Sequence, residues 1–137
     1  MRAYVEPLKL LICDNEASKG VKAERIFGGF CECGGIMFQK SWHLINGRKL
    51  LVSECDKCWK VKAYAFSGLE LVDAFEVKTY TRANLLDLLR ELLSEAEFNA
   101  VVEKFNGGNY NYSALSRAKK KLENLGVDFE ELISHLF

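Results

Sequence analysis

Proline occurs once in this sequence, at Pro7, glutamine once, at Gln39, and histidine twice, at His43 and His135. One proline and no low-complexity tract exclude a Pro-rich linker or a compositionally biased tail. Two histidines leave little for a histidine-built catalytic metal site, and the His-x-Glu of the zinc deaminases is absent. Charge of one sign is also missing. The 19 basic and 19 acidic residues sum to zero, which excludes a whole-chain basic field for nucleic acid and leaves only local patches for that work. No apolar run approaches the roughly 18 residues that span a bilayer, so no membrane association is expected. The N-terminal stretch carries only Leu8 and Leu10 to Cys13 as an apolar run, with no small-residue cleavage site after it. No signal peptide is expected, and the location read from this is intracellular, in the cytoplasm. Scarce glutamine beside plentiful Lys and Glu is a composition toward which hyperthermophile proteins lean.

What is present is the mix of a globular protein: 137 residues, 49% hydrophobic and 28% charged, enough for one compact domain or two very small ones. Residues 1–27 are the least legible. Tyr4 to Cys13 reads as a strand, with Pro7 confining it to an edge, and the polar stretch Asp14 to Arg25 as a helix or a loop. Residues 28–78 read as β structure. Ile36–Ile45 and Arg48–Glu54 flank Asn46-Gly47, a pair suited to the two positive-φ positions of a type I′ hairpin. Trp59–Phe66 and Leu69–Val77 follow as strands around a turn at Ser67-Gly68.

Residues 79–137 change to helical spacing. Thr81 suits the cap of a helix carrying Leu85, Leu86, Leu88, Leu89, Leu92 and Leu93. Ser94 with Glu97 forms a capping box, Asn106-Gly107-Gly108-Asn109 stops the helix it opens, and a third helix runs from about Tyr112 to Leu125. Gly126 suits the left-handed position after it, and Asp128 with Glu131 opens a last helix. With no flexible linker near Thr79, the two halves are expected to pack together. The leucine-dense helix is either central in its half or a homodimer contact, and central burial is the simpler reading.

Five cysteines without a secretory signal point to metal or redox use before structural disulfides. Four fall in two tight pairs, Cys31-Glu32-Cys33-Gly34-Gly35 and Cys55-Asp56-Lys57-Cys58. A tetrahedral zinc ion takes four thiolates at about 2.3 Å. Two ligands one or two residues apart come from one tight turn, and a hairpin brings the second pair. Asn46-Gly47 lies close to midway between the pairs, as that geometry requires. Gly34 and Gly35 let backbone N–H groups turn toward the sulfurs. One structural zinc is expected on Cys31, Cys33, Cys55 and Cys58. A rubredoxin-type iron centre is the competitor, because four sulfurs in a tetrahedron do not select zinc over iron by geometry; four unliganded thiols or a redox pair complete the alternatives. Four cysteines close the coordination sphere, which argues against a catalytic zinc. His43 could neighbour the site, although a satisfied histidine is the simpler account. Cys13 is expected to be a buried small apolar residue.

These two knuckles resemble the zinc-ribbon class over about residues 28–66. The usual first knuckle of that class is Cys-x-x-Cys-Gly, and here it is one residue shorter, which tightens the turn. Zinc ribbons are common in transcription, translation and replication proteins, so the resemblance implies such surroundings without naming a reaction.

Two surfaces are candidates for a partner. On the strand after the second knuckle, Trp59, Val61, Ala63 and Ala65 share one face and Lys60, Lys62, Tyr64 and Phe66 the other. Lysines beside aromatics on an exposed sheet suit single-stranded nucleic acid; the alternative is that Tyr64 and Phe66 pack inward and the lysines are only solvated. The third helix carries Arg117, Lys119, Lys120 and Lys121, with no acidic residue between Lys104 and Glu123. A basic helix after a compact helix and a Gly-containing turn is consistent with helix-turn-helix. Ser113 to Leu122 resembles the DNA-reading helix of bacterial sigma factors over about ten residues, although the helix that should precede it is not evident. The alternative is a solvated basic face complementing the helix dipole.

The fold class expected is α+β, a zinc-ribbon-like antiparallel β-sheet packed with a C-terminal bundle of three to four helices. The expected function is nucleic-acid binding, as a small regulator of transcription or replication, or else a zinc-stabilised protein–protein adaptor without nucleic acid. No nucleophile–base pair, phosphate-binding glycine loop or paired carboxylates stand at a recognisable spacing, so no enzymatic activity is expected.

Overall fold

A computed structural model describes all residues, 1–137. It contains an antiparallel β unit, Met1–Thr79, and a helical unit, Tyr80–Phe137.

The chain opens with β1 (Arg2–Val5), a 3-10 turn at Glu6–Leu8 and β2 (Leu10–Cys13). Pro7 therefore does not sit on the edge of one long strand. It lies in a turn that folds the segment on itself, with Lys9 left-handed at φ 48 and Arg2 opposite Cys13. A residue with fixed φ and no N–H breaks a ladder more readily than it decorates one. The stretch expected as helix or loop is β3 (Glu16–Lys19) and β4 (Val21–Lys22). Asp14 at φ 54 and Asn15 form the two-residue turn that pairs Cys13 with Glu16. Asp and Asn tolerate that conformation, a signal present in the sequence but masked by polar strand residues.

Next come β5 (Phe27–Phe30), β6 (Ile36–Ile45), β7 (Arg48–Cys55), β8 (Val61–Ser67), β9 (Glu70–Glu76) and β10 (Lys78–Tyr80). One sheet has the order β10-β1-β2-β3 and the other β4-β6-β7-β8-β9, with β5 also paired to β6. Asn46 and Gly47 have φ of 52 and 74, as the type I′ hairpin requires. Leu50 to Ser53 of β7 are all buried, which marks it as the central strand, covered on both faces. Tyr4, Leu11, Ile45, Val52 and Val61 are among the residues that fill the core of this unit. The alternation on β8 holds for Val61, Ala63 and Ala65, all buried. Trp59 departs from it: it precedes the strand, has φ 65 and is 70% exposed.

The helical unit begins with a 3-10 turn, Arg82–Asn84, and continues as α1 (Leu85–Leu92), α2 (Glu95–Phe105), α3 (Tyr112–Leu125) and α4 (Phe129–Leu136). Thr81 caps the 3-10 turn together with Asn84 rather than starting α1 directly. The Ser94–Glu97 box caps α2, Asn111 caps α3, Gly126 at φ 105 ends α3, and Asp128 caps α4. Leu85, Leu88 and Leu89 are buried, as the central reading of that helix expects, while Leu86 stays exposed. No helix is long and apolar enough to cross a membrane.

Candidate metal centre

The first knuckle leaves β5 at Cys31 and enters β6 at Ile36. It is a closed turn: the Cys31 N–H donates to the Gly35 carbonyl at 3.0 Å and the Gly34 N–H to the Cys31 carbonyl at 3.0 Å. The second leaves β7 at Cys55, whose N–H donates to the Lys60 carbonyl at 2.9 Å. Asp56 joins the two. Its N–H donates to the Ile36 carbonyl at 3.0 Å, and its Oδ1 accepts the Ile36 N–H at 3.1 Å.

This frame brings the four sulfurs within 4.8 Å of one another. Two contacts cross between the knuckles, Cys33 to Cys55 at 3.5 Å and Cys31 to Cys58 at 3.6 Å. A tetrahedron with metal–sulfur bonds of about 2.3 Å has edges of about 3.8 Å, and a disulfide would need about 2.05 Å. All five cysteines are free thiols. The four clustered sulfurs are therefore set at metal-binding separation, and together they could hold a metal ion. Cys13 lies outside the cluster, partly buried, and its burial raises the thiol above its ordinary range.

Backbone N–H groups point into the cluster. Those of Lys57 and Cys58 donate to Cys55 Sγ at 3.4 and 3.5 Å, and that of Gly35 to Cys33 Sγ at 3.4 Å. The Cys58 N–H, against the opposing effect of desolvation and with help from Lys57, holds the Cys55 thiol down at about 6. The Gly35 N–H acts the same way on Cys33, but desolvation and the three neighbouring sulfurs outweigh it and push that thiol up to about 12. Four adjacent sulfurs cannot all ionise without a cation among them. Met37 packs against Cys31 and Cys55 beneath the site, and Tyr64, half-buried, donates its hydroxyl to Met37 Sδ at 3.2 Å.

The two glycines of the first knuckle have different jobs. Gly34 sits at φ 89, with little near a side chain placed there, so it is needed for its backbone. Gly35 is needed for space: a Cβ there would stand 2.6 Å from Cys55 Sγ and 2.8 Å from Lys57 Cβ. Gly35→Ala is expected to displace Cys55 and weaken metal retention at least about tenfold against a competing chelator, the loss typical of a disturbed ligand shell. Metal retention equal to that of the unaltered chain would show that the knuckle can yield.

Lys60 and Lys62 turn back onto the first knuckle. Lys62 Nζ is 2.7 Å and Lys60 Nζ 3.3 Å from the carboxylate of Glu32, the residue between Cys31 and Cys33, and Lys60 also reaches Glu76 at 2.9 Å. Glu76 and then Glu32 raise Lys60 above the ordinary ammonium range, and Glu32 raises Lys62. The lysines thus latch the loop that carries two of the four clustered cysteines. On α3, Lys121 Nζ lies 2.8 Å from Glu97 Oε1 and Arg117 Nε 4.0 Å from Glu97 Oε2, while Lys119 is 3.9 Å from Glu130. His43 is not beside the cysteines. It is buried, with Nδ1 2.8 Å from the Ser18 carbonyl and Nε2 2.7 Å from Ser41 Oγ. The carbonyl can only accept, so Nδ1 carries the proton and Nε2 accepts from the serine. Burial holds this imidazole below its ordinary range, against the opposing pull of the Ser18 bond.

The same chain organisation appears in a known family. Residues 1–79 match the AF0631-like N-terminal beta-barrel domain and residues 82–135 the AF0631-like C-terminal four-helix domain. The chain belongs to the AF0631-like family. Neither matching domain is described as a zinc ribbon; what the structure shows of that resemblance is the cluster of Cys31, Cys33, Cys55 and Cys58, where a metal could bind. A relative from Archaeoglobus fulgidus, described as an uncharacterized protein, is 40% identical over 137 residues, covering 99% of each chain. No solved structure matches the chain.

Proposed function

We propose that this AF0631-like chain is a zinc-stabilised protein-interaction module without catalytic activity. The zinc is a staple: four thiolates fill its coordination sphere and leave no position for substrate. The observation that carries the interaction reading is where apolar surface is left uncovered. Phe27 and Phe30, 53% and 77% exposed, stack edge to face at 5.0 Å on the strand that runs directly into Cys31. Ile26, beside Phe27 in the chain, and Ile36, opposite Phe30 in the ladder, are also exposed. Exposed aromatics of this kind are what protein interfaces enrich. The basic residues singled out for nucleic acid are mostly occupied by the chain's own carboxylates, as described for Lys60, Lys62, Arg117, Lys119 and Lys121.

One observation favours the second reading, single-stranded nucleic acid. A cleft of about 750 Å³ beside the second knuckle is lined by Trp59, Phe38, Arg25, Lys9, Lys22 and Lys40, with Glu6, Glu24, Glu54 and Asp56 among them, so its aromatic faces rather than its net charge support this reading. Arg25 lies 4.2 Å over the Phe38 ring, and a bulky residue at positive φ, as Trp59 is, is a marked position. Stacking there would quench the exposed indole.

Both readings are tested together. Cross-linked partners of the full chain are compared with those of a Phe27→Ser/Phe30→Ser double variant, and oligonucleotide binding is titrated by tryptophan fluorescence at 50 and 200 mM salt. The interaction module predicts a partner lost in the double variant and no salt-dependent oligonucleotide binding. Oligonucleotide affinity that falls steeply with salt and vanishes in Trp59→Ala would establish the second reading instead.

A further inference from the structure

The four sulfurs are not equivalent. Cys31 and Cys55 are buried, whereas Cys33 and Cys58 are exposed. Two sulfur–sulfur contacts, Cys33–Cys55 at 3.5 Å and Cys31–Cys58 at 3.6 Å, each join one exposed sulfur to one buried sulfur, and each crosses from one knuckle to the other. An exposed thiolate meets a small oxidant first, and the buried partner 3.5 or 3.6 Å away is already placed to displace the oxidised oxygen.

We propose that this cluster is an oxidation site for peroxide, which converts it to the cross-knuckle disulfides Cys33–Cys55 and Cys31–Cys58, and that these replace the metal as the staple of the β unit. This rests on reading the cluster as a zinc centre. The chemistry runs in two displacements for each pair. The Cys33 thiolate attacks one oxygen of hydrogen peroxide; the S–O bond forms, the O–O bond breaks, and the departing hydroxide takes a proton to become water. The Cys55 thiolate then attacks the Cys33 sulfur; the S–S bond forms, the S–O bond breaks, and a second water leaves. Two thiolates, one peroxide and two protons give one disulfide and two waters. The sulfurs lose two electrons and the peroxide gains them. Cys58 and Cys31 follow the same course. Zinc loses its donors and leaves as the hydrated ion.

Both disulfides close the same loops that the metal closed, from the first knuckle through the β6–β7 hairpin to the second. The oxidised chain therefore keeps the constraint that the stripped, reduced chain lacks. Cys13, outside the cluster and partly buried, takes no part.

The test uses the full chain loaded with zinc. Hydrogen peroxide is added in steps with a chromogenic chelator present, and the products are examined by intact mass, disulfide mapping and thermal melting. Zinc release should be complete at about two peroxides per chain, with a mass about 4 Da below the reduced chain. The map should show Cys33–Cys55 and Cys31–Cys58, and the melt should stay within about 5 °C of the zinc form. Thiol reductant with added zinc should restore the starting state. Pairs within a knuckle, pairs between chains, sulfinic acids in place of disulfides, or an oxidised chain that melts like the stripped one would each overturn the proposal. Elemental analysis of the untreated protein separates the two levels. Absence of zinc there sinks the metal reading, while mapping the reduced chain after peroxide still decides the pairing.

Discussion

Stripping the metal under reducing conditions is expected to lower the melting temperature of the β unit by about 20 °C or more, corresponding to about 5 kcal/mol or more of lost stabilisation. The size follows from what remains. Without a cation the cluster is four adjacent thiols, of which Cys55 is held down at about 6 and Cys33 pushed up to about 12. One anion is tolerated there and a second is opposed, so the sulfurs no longer draw the knuckles together. Glu32 then loses its fixed place beside Lys60 and Lys62, and β5 loses its anchor at Cys31. Both tryptophans of the chain, Trp42 and Trp59, lie in this unit, so their emission reports the transition directly. Cys55→Ser should reproduce the effect of chelation, because it removes a fully buried sulfur of the cluster. A stripped chain that melts within a few degrees of the loaded one would show that the β core stands without its staple.

Glu97→Ala is expected to cost about 2–3 kcal/mol and lower the melting temperature of the helical unit by about 10 °C, whereas Lys120→Ala stays within about 0.5 kcal/mol. Glu97 is one of the few buried polar residues of the chain, at 4% exposure. Its carboxylate accepts the Ser94 N–H at 2.8 Å, closing the cap of α2, and Lys121 Nζ at 2.8 Å, tying α3 to α2. Alanine removes the cap and strands both donors. Lys121 first, then the Ser94 N–H, hold the Glu97 carboxyl down at about 2. The unfolded value is about 4.3. A depressed folded value means that this stabilisation is complete above about pH 4.3 and is lost as pH falls toward 2. The loss should be about 1–2 kcal/mol after allowance for the exposure of Lys121, and it should be absent in Glu97→Ala. Equal effects of Glu97→Ala and Lys120→Ala would show that the ion pair contributes nothing. The comparison also bears on function: reversing the charge of Lys121 would disturb the fold, so only Lys120 tests a solvent-facing basic patch cleanly.

Local chemistry was legible along the chain wherever a feature depended on a few consecutive residues. Asn46-Gly47 needs only its own two positive φ angles, and Ser94 with Glu97 needs only one turn of helix. The end of α3 at Gly126 is of the same kind. Features were missed or misread where neighbours distant in sequence decide. Glu16 to Lys22 is polar enough to read as loop, yet pairing with β2 and β6 makes it strand. Trp59 fits the alternation of β8, but the second knuckle ends one step before the ladder and turns it outward. His43, by contrast, is the satisfied histidine of the simpler reading: Ser18 and Ser41 satisfy both nitrogens.

The cysteine cluster shows the division most clearly. Two tight pairs separated by a hairpin signal are enough to bring four sulfurs together, since knuckle and turn are both short-range geometry. Spacing alone therefore determined that four sulfurs cluster where a metal could bind. Which sulfurs face solvent, and which lysines are free for a partner, were decided only in three dimensions. Glu32 meets Lys62 across 30 residues and Glu97 meets Lys121 across 24. A charge reads as available until the fold brings its counter-charge to it, and burial of a sulfur depends on what packs beneath it, here Met37 and Tyr64.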